Sequence, residues 1–284
     1  MSSDDSIGPI VVPLDGSRNA ENALPHAALL ARVYGATVEW VRVVDHEGLR
    51  TEEEIDRFRE AFATYASYLA DKWAIAKYES SVSQGPVAAK ILETASTASF
   101  VVIASHGHGG FHATFIGSVA DKVVRGSTVP VLLVPGVGAP TAPEARRFVL
   151  IGLDGSEAAE QALRVGRSLA ARMEAPVALV RAWDVPAQAL AFYEGYAEYP
   201  ADNLFASAAA IADEYLKRTA TPREKVLVPQ GAPAPVIANA ATRLDAGLVV
   251  VASSGKGLAA RIALGSTTDR LMRSLHRPLL IVPE

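Results

Sequence analysis

The chain has no cysteine in its 284 residues. Disulfides and thiolate metal sites are therefore excluded, and the composition suits a reducing compartment. No apolar run reaches the roughly 18 residues needed to cross a bilayer. The opening residues, Met1-Ser2-Ser3-Asp4-Asp5-Ser6, lack the basic and apolar regions of a signal peptide. The expectation is a cytoplasmic protein with no membrane partner. A basic excess is missing as well. Residues 1–140 carry 11 Lys/Arg against 16 Asp/Glu, and residues 141–284 carry 16 against 15, for a net charge of −4. Neither half has the clustered basic face of a nucleic-acid binder, so any anion must be held by local groups.

What is present is a pattern written twice. Half of the residues are apolar and a fifth are charged, enough material for a core in each of two ordinary domains. Ile7 to Leu14 reads as a strand ending in Asp15-Gly16-Ser17, and Ser17 can cap the helix that follows. Ala20, Ala23, Leu24, Ala27, Leu30 and Ala31 give that helix one apolar stripe, and Gly35 ends it. Val38–Val44 is the second strand, Thr51 opens a long acidic-headed helix to about Trp73, and Tyr78–Ser83 is a third strand. A helix from Pro86 to Ala95 leads into a fourth strand, Phe100–Ala104; a helix over Ser118–Arg125 and a fifth strand over Val129–Val134 complete the series.

Pro and Gly then crowd residues 135–143, and the pattern restarts. Phe148 to Asp154-Gly155-Ser156 repeats the first strand and its end, Val177–Trp183 the second, and Leu279–Val282 the fifth. The expected organisation is a first domain over residues 1–137, a linker over 138–146 and a second domain over 147–284. Alternating strands and helices imply an α/β fold, with each domain a five-stranded parallel sheet covered by helices on both faces.

The strongest functional signal lies after the fourth strand. Gly107 and Gly117-Ser118 are separated by nine residues, and so are Gly255 and Gly265-Ser266. Glycine loops between a buried strand and a helix start turn backbone N–H groups toward an anion. In a parallel sheet, ligands sit beyond the carboxyl ends of strands where the strand order reverses. If the first and fourth strands are neighbours, the aspartate turn and the glycine loop flank one crevice. No lysine precedes Ser118 or Ser266, so the loop is not a P-loop.

The order strand, Asp-Gly-Ser, apolar strand, Gly-x2-Gly-x9-Gly-Ser resembles the universal stress protein family, in tandem form and over nearly the whole chain. The resemblance implies two Rossmann-like (adenine nucleotide alpha hydrolase-like) domains that bind ATP, with or without Mg²⁺. It places the nucleotide against Pro13, Asp15, Val43, Ala104, Gly107, Gly117, Ser118 and Val119 in the first copy. In the second copy the corresponding residues are Asp154, Ala182, Ala252, Gly255, Gly265, Ser266 and Thr267. Ala104 and Ala252 depart from the family's leading glycine, and their methyl groups narrow the approach of a ligand. The resemblance also implies association through fifth strands, between the domains of one chain or between two chains.

The loops differ in chemistry. The first carries His106, His108 and His112, read as solvent-exposed or phosphate-facing imidazoles in preference to metal ligands. The second offers Lys256 and Arg261, which predict tighter triphosphate binding there at pH 8. Asp45 and Asp184 end matching strands and read as turn residues. The aromatic stretch from Trp183 to Phe205 reads as packing over a sheet edge, a pocket cover or a partner surface. With no nucleophile–base pair in view, the expectation is a regulatory, stress-response protein and not an enzyme. The alternatives are a dimerising adaptor without nucleotide, and slow ATP hydrolysis or self-phosphorylation at Ser118 or Ser266.

Overall fold

A computed structural model of the chain describes residues 7–44, 51–106, 116–136, 147–184, 201–255 and 264–284. The expected linker, Gly107, His108, His112, Asp45, Lys256, Arg261 and most of the aromatic stretch lie outside these. Packing divides the chain into two units, residues 1–145 with 272–284, and residues 146–271.

The first unit is built on β1 (Ile10–Pro13), β2 (Val38–Val44), β3 (Tyr78–Gln84), β4 (Phe100–Ala104) and β5 (Val131–Val134). All pair in parallel, in the order β3-β2-β1-β4-β5. Every residue of β4 and β5 is buried, as a strand covered on both faces requires. The first strand is shorter than the apolar run suggests, with Pro9 left to accept from the Ser99 amide at 2.9 Å. The first helix also starts late. A 3₁₀ turn over Ala20–Ala23 precedes α1 (Leu24–Tyr34), and the Ser17 hydroxyl accepts from the Ala20 amide at 3.1 Å.

Helix α2 (Glu52–Lys72) begins with a capping box. Thr51 accepts from the Glu54 amide, and the Glu54 carboxylate accepts in return from the Thr51 amide. Its buried stripe is Phe62, Ala66, Leu69 and Ala70. Helices α3 (Val87–Ala95) and α4 (Ser118–Gly126) follow their strands as expected.

The second unit repeats the plan with β6 (Val149–Gly152), β7 (Val177–Val180), β8 (Lys225–Leu227) and β9 (Leu248–Ala252). Parallel pairings β6–β7, β6–β9 and β7–β8 reproduce the first unit's arrangement. Its helices are α5 (Glu157–Arg172), α6 (Ala201–Thr219), α7 (Pro233–Arg243) and the start of α8 (Ser266–Ser274). Seven small or leucine residues of α5 are buried, and a Cβ on Gly166 would lie 2.8 Å from Ile151 Cδ1. That glycine sets how closely α5 lies on β6.

The last strand, β10 (Leu279–Val282), packs with the first unit. It runs antiparallel to β5, with Leu279 opposite Leu133, Leu280 opposite Leu132 and Ile281 opposite Val131. β5 thus has a neighbour on each side, β4 and β10.

Candidate functional site

In each unit the first strand is hydrogen-bonded to the second on one side and the fourth on the other. The strand order reverses there, and the ends of β1 and β4, or of β6 and β9, open a cleft. A cavity of about 440 Å³ lies at this point in the first unit and one of about 430 Å³ in the second.

The first wall is the aspartate turn. Gly16 and Gly155 both adopt φ 80°, a left-handed conformation that glycine takes without strain. The turn folds the carboxylate onto its own backbone. Asp15 Oδ1 accepts from the Ser17 amide at 2.9 Å and from its hydroxyl at 2.6 Å. Asp154 Oδ1 accepts from the Ser156 amide at 2.8 Å, and Ser156 Oγ caps α5 by accepting from Ala159 at 3.1 Å. One carboxylate oxygen is therefore held by the turn in each copy.

The second wall is the end of the fourth strand and the start of the helix after it. The Gly117 amide donates to the Ser105 carbonyl at 2.7 Å, and the Gly265 amide donates to the Ser253 carbonyl at 2.7 Å. This bond pins the helix start beside the strand end. No side chain caps α4 at Gly117, so its first-turn N–H groups and helix dipole face the cleft with their partial positive charge. In the second copy the Thr268 hydroxyl, buried, donates to the Ala252 carbonyl at 2.8 Å; Ala120 stands at the matching place in the first.

The two walls meet. A Cβ on Gly255 would lie 2.6 Å from Asp154 Oδ2, so this position has room for hydrogen only while the aspartate keeps its place. Pro13, Asp15, Val43, Ala104, Gly117, Ser118 and Val119 all line the first cavity. Asp154, Ala182, Ala252, Gly255, Gly265, Ser266 and Thr267 all line the second. Gly107 and Lys256, assigned with them on sequence, lie outside the described residues. The methyl groups of Ala104 and Ala252 are buried in the cavity walls.

His106 departs from a solvent-exposed imidazole. It is only 9% exposed and lines the first cavity. Its Nδ1 is 2.9 Å from Ser105 Oγ, and that oxygen accepts from the Gly136 amide at 3.0 Å. Burial pushes the imidazole below its usual pKa. Its counterpart in the second copy is Ser254, also buried. Among the described residues no group of three or more His, Asp or Glu side chains could hold a metal.

Both copies also share a brace that the sequence did not reveal. Tyr65 donates to Glu21 Oε1 at 2.9 Å, tying α2 to the 3₁₀ turn before α1, and Tyr215 donates to Glu160 Oε1, tying α6 to α5. Arg42 lies over the Phe58 ring and donates to the Leu14 carbonyl at 3.2 Å, while Arg181 lies 4.5 Å from the Tyr215 ring centre. The recurrence of Glu and Arg at equal spacing from Asp15 and Asp154 is the signal that could have found it. Of the aromatic stretch, Trp183 and Phe205 meet edge to face at 6.4 Å. No described helix is long and apolar enough to cross a membrane.

The sequence profile of the universal stress protein family matches residues 7–135 and again residues 146–283. A universal stress protein of Mycolicibacterium smegmatis is 25% identical over 291 aligned positions, covering 96% of both chains. One from Mycobacterium tuberculosis is 26% identical over 192 positions; there the match spans 67% of this chain and 64% of the relative's length. Among solved structures, a universal stress protein from Archaeoglobus fulgidus superposes with a TM-score of 0.72 at 19% identity, covering 99% of each chain. A structure described as a putative universal stress protein from Pseudomonas aeruginosa gives 0.68 at 15% identity, covering 98% of this chain and 94% of that one. Two matches of one family profile, along a chain that repeats strand order and cleft, make this protein a tandem member of the universal stress protein family.

Proposed function

We propose that each cavity binds an adenine nucleotide, with ATP the first candidate, and that the protein acts as a nucleotide-responsive regulatory module in stress. The observation that carries this reading is the twofold construction of one cleft. In each copy a carboxylate fixed at the end of the first strand faces a helix start across a cavity within the 300–1,000 Å³ range of small-ligand sites. A carboxylate is an acceptor for the amino group and ribose hydroxyls of a nucleoside. A helix start with free N–H groups favours a phosphate. Aliphatic walls, Val41 and Val43 in one copy and Val180 and Ile237 in the other, suit a flat base.

In the first copy the reading gives Mg²⁺ no protein ligand from the start of α4. The acid in the first turn of α4, Asp121, is held by Arg125 through two bonds of 2.9 and 3.1 Å. The alternative of an adaptor without nucleotide rests on the methyl groups of Ala104 and Ala252. Cavities of about 430 and 440 Å³ persist beside them, which favours binding.

Calorimetric titration of the full chain with ATP, ADP and AMP tests the proposal. Asp15→Ala and Asp154→Ala are each expected to weaken one of two sites by ten- to a hundredfold, in proportion to a lost hydrogen bond to a charged group. No binding of any adenine nucleotide by the wild-type chain, together with none in the extracted protein, would overturn it. Incubation with γ-labelled ATP reports whether phosphate is released or reaches Ser118 or Ser266; neither is expected.

A further inference from the structure

We infer that the first cavity controls the start of the linker: Ser105 is a latch that grips residues 134–136 while a ligand holds its turn, and lets them go when the cavity empties. The inference rests on the nucleotide reading above and adds a means of regulation to it.

The grip has two points. The Ser105 amide donates to the Val134 carbonyl at 2.7 Å, and Ser105 Oγ accepts from the Gly136 amide at 3.0 Å. Pro135, between them, has no N–H to offer a third. The same hydroxyl lies 2.9 Å from His106 Nδ1, so one side chain ties the cavity turn to the segment that leaves β5. The fit is close as well. Ser105, His106 and Gly136 are all buried, and a Cβ on Gly136 would lie 3.1 Å from both the amide nitrogen and the Cβ of His106. A side chain at residue 136 therefore pushes on the backbone of the turn.

Ser105 holds the cavity by its third polar group. Its carbonyl accepts from the Gly117 amide at 2.7 Å and so fixes the start of α4. Ser105, His106 and Gly117 all line the cavity, whereas Gly136 does not. Release of Gly136 loosens three lining residues at once, and a ligand that needs them in place opposes the release. Linkage sets the size of the effect: an opening incompatible with binding is suppressed by 1 + [L]/Kd, about 100-fold at 100 Kd. The coupling is reciprocal, so a change that pries residue 136 off the turn weakens the ligand. Gly136 stands at the start of the Pro/Gly stretch that joins the two units. The latch thus carries the state of the first cavity to the point where the chain leaves its sheet.

Amide exchange of the full wild-type chain, read residue by residue without ATP and with ATP at about 100 times the Kd of the first cavity, tests the latch. The Gly136 amide is expected to exchange more slowly with ATP by about tenfold or more. The Ala74 amide, which closes the end of α2 on the Asp71 carbonyl at 3.3 Å, is expected to be unaffected. Asp154→Ala should keep the slowing at Gly136, and Asp15→Ala should reduce it in proportion to the affinity lost. Gly136→Ala, in the Asp154→Ala background, is expected to weaken ATP by about tenfold. Unchanged Gly136 exchange in a wild-type chain that binds ATP would overturn the latch while leaving nucleotide binding standing. So would equal slowing at Gly136 and Ala74, or slowing that is undiminished in Asp15→Ala. Failure of the wild-type chain to bind ATP at all would remove both readings.

Discussion

Gly255 is the point at which the two walls of the second cleft touch, and Gly255→Ala is the sharpest probe of that contact. The added Cβ would lie 2.6 Å from Asp154 Oδ2, and the carboxylate must retreat by about 0.8 Å to reach ordinary contact at 3.4 Å. Oδ1 moves with it, away from the Ser156 amide that it holds at 2.8 Å. A charge-assisted bond of this kind is worth about 1.5–3 kcal/mol; partial exposure of the turn reduces the expected cost to about 1–2 kcal/mol. Urea denaturation of Gly255→Ala, Asp154→Ala and the double variant measures the coupling. In the Asp154→Ala background nothing remains to collide with, so the glycine substitution is expected to cost under about 0.5 kcal/mol there. Amide exchange at Ser156 gives a local reading, and its protection is expected to fall in Gly255→Ala. Equal costs in both backgrounds, with Ser156 protection unchanged, would refute the contact.

Three further predictions concern stability. Burial lowers the His26 pKa to about 4, against a usual 6.5. The unfolded chain therefore binds the proton first, and stability falls as pH drops from 6.5 toward 4, by about 3 kcal/mol if the whole shift is expressed. His26→Phe is expected to flatten that slope in denaturation curves taken across the interval. Burial alone would raise the Glu224 carboxyl, but hydrogen bonds from Arg167 and from the Thr221 amide outweigh it and hold the group below its usual value. Its contribution is full above about pH 4.5 and is lost as pH falls through the lowered value, so the stability gap between wild type and Glu224→Gln should close on acidification. Glu174 ends α5 with φ 52°, where the first copy has Gly35 with φ 65°. Glu174→Gly is expected to stabilise the protein by about 0.5–1 kcal/mol in the same assay.

What the sequence made legible was whatever one segment decides by itself. The boundaries of β4 and β10 follow directly from apolar runs bounded by polar or turn residues. The capping box at Thr51 and Glu54 is local and could be read as a helix start. The cleft was legible because Asp15 with Gly117, and Asp154 with Gly265, recur at the ends of equivalent strands. What escaped depends on partners far apart in the chain. His106 is buried through Ser105 and a Gly136 amide 31 residues beyond it. The Tyr65–Glu21 and Tyr215–Glu160 braces span 44 and 55 residues. β7 stops at Val180, short of the apolar run, and Trp183 makes only an isolated bridge to Gln230. The place of β10 beside β5 could not be read from local patterns, because an apolar strand does not name the edge it joins; only the family resemblance pointed to it, as a pairing of fifth strands.

That place has a consequence for anyone who cuts the protein. The sequence repeat divides near residue 146, but the unit containing β5 also includes residues 272–284. A fragment ending at the linker would leave Val131-Leu132-Leu133-Val134, buried along its whole length and carrying no charge, as a bare edge. Such an edge recruits other strands, so an isolated first half should self-associate through β5. Supplying residues 272–284 through a circular permutation, rather than trimming at the repeat, is the rational route to an independent first unit.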